Sequence, residues 1–411
     1  MNIVISSMVF HPDHSGIANY SSGLAFGLSK EHDVSVVTGF PFYPTWQKNA
    51  ADVGRLFRVD NINNCTVFRG YLFVPKLPTT VRRIIQEISF ILFASINFLR
   101  LKKKPDVIVI FTTPVSLGLV GVLFKKIFRC KLVINVQDLQ IEAAEGLEML
   151  NKSILLRLLK RLEAFSYRNA DAVTSISEGM INLLVKKGVP SDKLLLVPNW
   201  IDVQKAVQAG TTGRFRAAHG IDDTTTLIAY AGNIGKKQGV SILVDMAEIL
   251  ASHDNVLVLI VGEGVDLDSI KRYANGKNTP GLKFIPFLDA DAYADFLCDA
   301  DLIVIPQKKV PFDVYFPSKL LSIMAKSKPV LIIGDKESEL CKVVKGNDLG
   351  FVADYGDLKE IQHAVQIFLS QKDIVRKYQE NARNFVEQYD ANLVISDFSK
   401  KLATMCEGKR L

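Results

Sequence analysis

The sequence is poor in the residues that build covalent cross-links and small metal centres. It contains only five cysteines, and they are far apart: Cys65, Cys130, Cys298, Cys341 and Cys406. An odd number of cysteines without C-x-x-C spacing argues against a disulfide framework, a structural zinc site and a dithiol redox motif. The six histidines have no metal-ligand spacing either. We interpret the thiols as reduced and mostly buried, and we expect a reducing compartment.

A secretory signal and a long uninterrupted apolar run are also missing. Met1-Asn2 leads directly into a strand pattern, without the basic and apolar regions of a signal peptide. Residues 84–101 are mostly apolar, but Glu87 and Arg100 interrupt them, and a spanning helix of ~20 residues rarely contains such charges. Basic residues flank this stretch at 82–83 and 102–104. Two interpretations have equal weight: a crossover helix packed on a sheet, and a helix that touches a membrane.

Length and composition indicate a globular protein with large cores. A length of 411 residues favours two domains. A content of 48% hydrophobic and 23% charged residues is typical of globular proteins. The net charge of +7 is a mild excess. It fits a nucleic-acid, membrane-surface or phosphorylated-ligand partner and does not choose among them.

Strand and helix patterns alternate through both halves of the chain. Strand patterns in the first half are at 3–6, 34–38, 66–68, 107–111, 132–136, 172–174 and 194–197, and in the second at 227–231, 256–261, 282–285, 302–305 and 330–333. Helix-length connections between strands predict parallel, doubly wound sheets. Residues 197–213 have no clear period and are interpreted as an interdomain linker. We predict domains at 1–200 and 201–385, with a final helix at 386–411 that packs back towards the first domain.

Residues 301–334 combine features of an anion site. Two apolar strand patterns enclose a loop rich in lysine and proline and a helix that opens at Pro317-Ser318-Lys319. Proline suits the first helical turn, and Ser318 can cap its backbone donors. The helix N-terminus and the Lys319 charge would then face the strand ends, where a phosphate can bind. The alternative is an ordinary strand–loop–helix unit with solvated lysines.

Residues 231–239 give a stronger phosphate signal. Three glycines and two lysines follow a buried strand and precede a helix, but the G-K-[ST] end of a P-loop is missing. We therefore expect no ATP hydrolysis of that type. We place Lys237 and Lys319 on a diphosphate. The loop that contains Gly262 and Glu263, at the next strand end, also suits close ligand approach.

The first half offers weaker candidates. Gly16 opens the first helix and could admit a phosphate, although a single glycine is weak evidence. Asp138 follows a strand, where a carboxylate can bind sugar hydroxyls or act as a base, while a helix N-cap is its commoner role. Asp289-Ala290-Asp291 and Asp299-Ala300-Asp301 resemble D-x-D metal motifs. Since both lie at helix ends, we interpret them as caps and predict no metal site.

Taken together and in order, the motifs resemble a known family. They are Ser15-Gly16-Ile17, Pro41-Phe42-Tyr43-Pro44-Thr45-Trp46, Val136-Gln137-Asp138, 197–202, 232–239, 304–308 and 313–319. The chain resembles family 4 of the retaining nucleotide-sugar glycosyltransferases, which have the GT-B fold. Within that family, the chain most resembles the branch that includes the bacterial colanic-acid and O-antigen fucosyl- and N-acetylfucosaminyltransferases. That fold has two Rossmann-like domains facing each other across a cleft.

The resemblance implies roles for particular residues. Lys237 and Lys319 would neutralise the leaving diphosphate, and Asp138 would hold the transferred sugar or the acceptor. Donor-binding residues would be Gly16, Gly232, Asn233, Lys237, Gly262, Glu263, Gln307, Asp313, Ser318 and Lys319. The donor would be a UDP- or GDP-sugar, with no cofactor or metal required. The acceptor would be a polyprenyl-diphosphate-linked or plain saccharide at the cytoplasmic face of the inner membrane, with no nucleic-acid partner.

The sequence departs from the family at one point. Many relatives carry a Glu-x7-Glu pair whose second glutamate binds the donor ribose, and here Val314 and Ser322 occupy those positions. Asp313 and Ser322 are the possible substitutes. Two other functions stay open: a sugar-nucleotide 2-epimerase, which has the same fold, and a non-catalytic GT-B scaffold.

Overall fold

A computed structural model describes residues 1–14, 16–77, 79–139, 141, 154–309 and 319–409. The chain divides into two compact units, one formed by 1–199 with 391–411 and the other by 200–390. Each contains a largely parallel sheet with helices in the connections. The prediction of two Rossmann-like domains is confirmed.

The first unit is built on an eight-stranded sheet of order β3-β4-β2-β1-β5-β6-β7-β8. The strands are β1 Asn2–Ser7, β2 Asp33–Gly39, β3 Phe57–Ile62, β4 Cys65–Gly70, β5 Val107–Thr112, β6 Lys131–Val136, β7 Ala172–Ser175 and β8 Leu194–Leu196. All neighbours pair in parallel except β3 and β4. The strand order reverses between β1 and β5, where Ile3 is paired with Val34 on one side and Val107 on the other.

Helices of the first unit cover this sheet and bury its apolar strands. They are Ile17–Leu28, Thr80–Leu99, Leu117–Phe128, Ile154–Asn169, Glu178–Lys186 and Ala391–Cys406. Every residue of β5 is buried, as expected for a central parallel strand. Ser177 caps helix Glu178–Lys186, since its side chain accepts from the Met180 N–H.

Helix Thr80–Leu99 has two different faces. Phe90, Ala94 and Phe98 are buried, and the helix contacts β2 and β4. The packed-helix interpretation therefore holds for this face. Apolar side chains also line the opposite face, where Ile88 is 64% and Leu99 67% exposed. Within the described ranges, no helix is both long enough and apolar enough to cross a bilayer.

The second unit contains a six-stranded parallel sheet of order β11-β10-β9-β12-β13-β14. Its strands are β9 Thr226–Ala231, β10 Val256–Val261, β11 Leu282–Ile285, β12 Leu302–Pro306, β13 Val330–Ile333 and β14 Gly350–Ala353. Its helices are Val203–Gln208, Arg214–His219, Ile242–Ile249, Leu267–Asn275, Ala290–Asp299, Lys319–Ala325, Glu339–Gly346, Leu358–Ser370 and Lys372–Glu387. The order reverses between β9 and β12, which are neighbours.

Residues 197–213, interpreted from the sequence as an interdomain linker, contain the chain position at which the two units divide and also a short helix. Residues Val203–Gln208 form a helix, because the Asp202 carboxylate caps it by accepting from the Lys205 N–H at 2.9 Å. The lack of a clear period in the sequence did not indicate this helix.

Three of the four aspartates in the two D-x-D motifs have structural partners. Asp289 caps helix Ala290–Asp299 and accepts from the Ala292 N–H at 2.9 Å. Asp299 accepts from the N–H groups of Gly213 and Arg216, at the start of helix Arg214–His219. Asp301 pairs with the Arg216 guanidinium at 2.8 Å. The cap interpretation is confirmed for Asp289 and Asp299, while Asp301 is an ion-pair partner.

Candidate active site

The candidate site of the second unit lies where its strand order reverses. In open parallel sheets, ligands bind beyond the carboxyl ends of the strands at such a point. Here β9 ends at Ala231 and β12 at Pro306, so Gly232 and Gln307 begin the two loops. The Lys308 N–H donates to the Lys237 carbonyl at 3.1 Å, which joins the two loops directly.

Lys319 brings a cation to this point. It is the first residue of helix Lys319–Ala325, and its Nζ donates to the Ala231 carbonyl at 3.2 Å. Nζ also lies 5.9 Å from the ring centroid of Tyr230. Lys319 keeps exposed surface overall, but the protein atoms around Nζ desolvate the ammonium and lower its pKa. A partly desolvated cation interacts more strongly with an incoming anion than a solvated one.

Gly232 makes room for that ammonium. A Cβ atom at this position would lie 1.9 Å from Lys319 Nζ and 3.1 Å from the Tyr230 hydroxyl. We expected Gly232 to admit a phosphate directly. In the structure its missing side chain leaves space for the lysine that would bind the phosphate.

Gly262 has a packing role of a similar kind. The Gly232 N–H donates to the Val261 carbonyl at 2.9 Å, and the Ile234 N–H to the Glu263 carbonyl at 2.8 Å. A Cβ on Gly262 would lie 1.9 Å from the Gly232 carbonyl oxygen. The loops after β9 and β10 therefore lie backbone against backbone, and the side chains of Asn233 and Glu263 stay exposed.

Lys237 is the second cation that the sequence proposes for a diphosphate. It is exposed in the loop after β9, and no residue within the described ranges accepts a hydrogen bond from its ammonium. The loop is anchored at its far end, where the Tyr355 hydroxyl donates to the Gly239 carbonyl at 2.9 Å. Lys237 is thus an available charge on a loop whose backbone is held.

Of the remaining donor-side candidates, the structure describes Gln307 and Ser322 but not residues 310–318. Gln307 is half-buried, and its N–H donates to the Ile333 carbonyl at 2.8 Å. The Ser322 hydroxyl donates to the Lys319 carbonyl at 2.8 Å and lies 3.5 Å from the Tyr293 hydroxyl. Asp313, Val314 and Ser318 lie outside the described residues, so their predicted roles stay predictions.

In the first unit, Gly16 is positioned at an open helix start. Its φ of 58° is in the left-handed region, which glycine adopts readily. It precedes helix Ile17–Leu28, and no side chain of the described residues caps that start. An added Cβ would meet no described atom within 4 Å. The backbone conformation requires glycine here, and the helix start is open to an anion.

Asp138 is exposed two residues after β6 ends. The neighbouring Gln137 is held by a chain of amide bonds: its Nε2 donates to Asn135 Oδ1 at 2.8 Å, and Asn135 Nδ2 donates to Thr174 Oγ1 at 2.9 Å. This chain fixes the strand end from which Asp138 projects. Residues 142–153, which follow, lie outside the described ranges.

Sequence reasoning missed Asp13, which joins two loops of the first unit. Its Oδ1 accepts from the N–H groups of Phe42 and Tyr43, each at 3.1 Å. Burial raises the pKa of Asp13 to about 6, against the lowering effect of those bonds and of Arg69. Asp13 lies in the loop between β1 and Gly16, and Gly16 was the residue of this loop that the sequence analysis selected.

Two family comparisons cover most of the chain. Residues 15–200 match the glycosyl transferase 4-like domain, and residues 212–385 match glycosyl transferases group 1. A curated relative is the putative colanic acid biosynthesis glycosyl transferase WcaI of Escherichia coli (strain K12). It is 28% identical over 348 residues, which are 83% of this chain and 85% of the relative.

Solved structures share the fold over nearly the whole chain. Sucrose-phosphate synthase from Thermosynechococcus elongatus has a TM-score of 0.74 at 15% identity, covering 99% of this chain and 100% of that one. Anabaena HepE in complex with UDP has a TM-score of 0.70 at 16% identity, with 98% and 100% covered.

Proposed function

Since the chain is a glycosyltransferase of the GT-B type, we propose that it transfers a sugar from a nucleotide-sugar donor, with retention, to a lipid-linked or saccharide acceptor. The observation that carries this proposal is the Lys319 ammonium beside Gly232 at the reversal of the second sheet. The similarity to WcaI supports a bacterial surface polysaccharide, such as an O-antigen, capsule or exopolysaccharide. The donor would be a UDP- or GDP-sugar, and the HepE complex with UDP supports the first of these.

The proposed chemistry depends on stabilising a leaving diphosphate. In a same-face displacement, the departing phosphate helps deprotonate the acceptor hydroxyl, so the protein needs no nucleophile of its own. Lys319 and Lys237 would bind the developing negative charge, and such preorganised charges are a large source of catalysis. Asp138 would bind hydroxyls of the transferred sugar or the acceptor. Transfer would then proceed without a metal ion or other cofactor.

The nucleoside would lie along the loops after β10 and β12. Glu263 presents an exposed side chain in the loop after β10, and Gln307 is half-buried in the loop after β12. The exposed Asn233 lies in the loop after β9, which packs against the loop after β10. The ribose would use Ser322 or Asp313 in place of the missing glutamate. The first donor sugars to test are the 6-deoxy sugars fucose and N-acetylfucosamine.

We place the protein on the cytoplasmic face of the inner membrane through helix Thr80–Leu99. Its outer face is apolar, with Val81 67%, Ile88 64% and Leu92 57% exposed. Arg82 and Arg83 near its start and lysines at 102–104 beyond its end supply positive charge. An apolar face with basic ends fits an anionic lipid surface.

The test compares lysines of equal charge. Lys319→Ala and Lys237→Ala should each lower donor turnover at least about tenfold, because each removes a charge-assisted contact to phosphate. The control is Lys345→Ala, an exposed lysine on helix Glu339–Gly346. The assay measures nucleoside diphosphate released from a panel of UDP- and GDP-sugars, together with thermal shifts by UDP and GDP. Near-normal turnover in both variants would overturn the proposal.

A further inference from the structure

The carboxyl edge of the first sheet carries an aromatic cluster that the donor chemistry does not use. The cluster consists of Phe42, Tyr43 and Trp46, in the loop after β2. Their ring centroids are 5.5 to 6.4 Å apart in edge-to-face pairs. Phe42 is buried, Trp46 is half-buried and Tyr43 is 37% exposed. The cluster therefore has a buried base and an open upper surface.

Hydrogen bonds hold the loop that carries the cluster, and a strained backbone angle at Trp46 indicates that its conformation is fixed. The Asp13 carboxylate accepts from the N–H groups of Phe42 and Tyr43 and so attaches the loop to the one after β1. Trp46 has a φ of 55°, a left-handed conformation that is unfavourable for a bulky residue. Such backbone conformations persist where the surrounding structure fixes them, often at binding sites.

A cation lies against the aromatic cluster. The Arg83 guanidinium carbon is 5.4 Å from the Trp46 ring centroid. Arg83 is itself exposed. A guanidinium stacked on an aromatic ring keeps its edge N–H groups available for phosphate oxygens.

An apolar track starts at this point. Helix Thr80–Leu99 follows β4 and runs back along it, since Phe73 contacts Ser89 while Phe68 contacts Asn97. Its start therefore lies at the carboxyl edge of the sheet, near the cluster. The exposed apolar face continues from Ile84 and Ile85 to Leu99, at the opposite edge.

Ring faces, a guanidinium and a hydrocarbon surface therefore occur in sequence along one side of the first unit. We propose that Tyr43, Trp46 and Arg83 bind the head of the acceptor, a glycolipid whose sugar is joined through phosphate to a hydrocarbon chain. The sugar stacks on the aromatic rings, Arg83 binds the phosphate, and the chain follows helix Thr80–Leu99 into the lipid surface. Asp13 is a positioning residue for the aromatic loop. This inference rests on the proposed transferase function and selects the lipid-linked acceptor.

The chain offers an internal reporter for this site. Its two tryptophans are Trp46 and Trp200, so Trp200→Phe leaves Trp46 as the sole indole emitter. In that variant, adding farnesyl diphosphate should change the Trp46 fluorescence emission, and the change should saturate as the ligand concentration rises. Glucose 1-phosphate, which has no hydrocarbon chain, and octyl glucoside below its micelle concentration, which has no phosphate, should each bind at least about tenfold more weakly.

Two neighbouring arginines provide a matched pair of variants. Arg83→Ala should weaken farnesyl diphosphate binding about tenfold or more through loss of a charged contact. Arg82→Ala removes the same charge one position earlier, where Arg82 bonds the Leu77 carbonyl, and should cost less than about threefold. Equal losses in the two variants, or an unchanged Trp46 emission in the parent, would overturn the proposal. So would a parent dimer that Arg83→Ala converts to monomers, because the surface would then be an interface between copies.

A conservative substitution tests whether Asp13 acts by accepting hydrogen bonds from the aromatic loop. Asp13→Asn retains an oxygen that can accept both N–H bonds and should keep the affinity for farnesyl diphosphate, whereas Asp13→Ala should lose it. Equal losses would refute positioning by hydrogen bonds. Thermal shifts by UDP and GDP in all variants report the donor side independently. A parent without a donor shift would refute the proposed function, whereas normal glycolipid transfer by Arg83→Ala beside a normal donor shift would refute this inference alone.

Discussion

Gly232→Ala should disable the donor site while leaving the protein folded. The new Cβ would stand 1.9 Å from Lys319 Nζ, so the ammonium has to leave the Ala231 carbonyl. Nζ is the far end of a flexible side chain, which can swing away at a cost of about 1 kcal/mol or less. The φ of 157° at Gly232 adds backbone strain on the order of 1–3 kcal/mol, which the fold should tolerate. A displaced ammonium no longer meets the phosphate, and one charge-assisted hydrogen bond is worth ~1.5–3 kcal/mol. We therefore expect a loss of roughly ten- to hundredfold in donor affinity or turnover.

The assay is a double-mutant cycle with Lys319→Ala. If the alanine acts only by displacing the lysine, Gly232→Ala should add almost nothing to Lys319→Ala. Donor turnover and the thermal shift by the preferred nucleoside diphosphate are measured in all four proteins. An additive loss would refute the reasoning, because the glycine would then act independently of the lysine.

Gly262→Ala is the contrasting control. Its Cβ would stand 1.9 Å from a backbone oxygen, that of Gly232, which cannot swing away. Both glycines have positive φ, so backbone strain is common to the two variants. For Gly262→Ala we expect a further loss of about 2–3 kcal/mol in unfolding free energy, as for an overpacked core. If the two variants had similar melting temperatures, a clash with the Gly232 backbone would be no more costly than a clash with the Lys319 side chain, which would contradict this reasoning.

Three further predictions concern other parts of the chain. The raised pKa of Asp13, about 6 against 3.8, means that the folded protein holds this proton more tightly than the unfolded chain. Its contribution to stability is lost as pH rises through that interval, so the melting temperature of Asp13→Asn minus that of the wild type should increase from pH 4 to 6. Asp299→Ala leaves two backbone N–H groups unpaired and should cost about 1–3 kcal/mol by denaturant unfolding, against a near-neutral exposed Asp291→Ala. The double variant Ile88→Glu, Leu92→Glu should lower sedimentation with phosphatidylglycerol vesicles at least about tenfold without lowering the melting temperature; unchanged sedimentation would remove the helix from the membrane contact.

Much of the fold could be predicted because parallel strands buried on both faces are continuous apolar runs. The strands Val256–Val261 and Val330–Ile333 have the predicted bounds for this reason. The edge strand Leu282–Ile285 also has its predicted bounds, although it contains Lys283 and only Ile285 is buried. Strand Phe57–Ile62 was missed because its residues are mostly polar or partly exposed. Its hairpin turn, Asn63-Asn64, has positive φ at both positions, and asparagine is common there. That turn was the available signal.

The site was less predictable because contacts between distant segments determine it. The sequence pattern supplied Gly232 and Lys319 as separate features, 87 positions apart. Only the folded sheet shows that the missing side chain of one accommodates the ammonium of the other. Asp13 is a similar case, since its partners are the backbone N–H groups of Phe42 and Tyr43, and backbone donors leave no pattern in a sequence.

The first unit is discontinuous in the chain, and this affects its order of synthesis. Helix Ala391–Cys406 packs against helix Ile17–Leu28, and Ser399 Oγ lies 2.8 Å from His32 Nε2. About 190 residues of the second unit separate this helix from residue 199. At ~5–20 residues per second, a ribosome needs roughly 10–40 s to translate them. During that time the nascent first unit exposes the apolar groove that Phe398 and Leu402 later fill. A chaperone that binds exposed apolar surface could bind the nascent first unit during this interval. A circular permutation that places 391–406 ahead of residue 1 would shorten the interval.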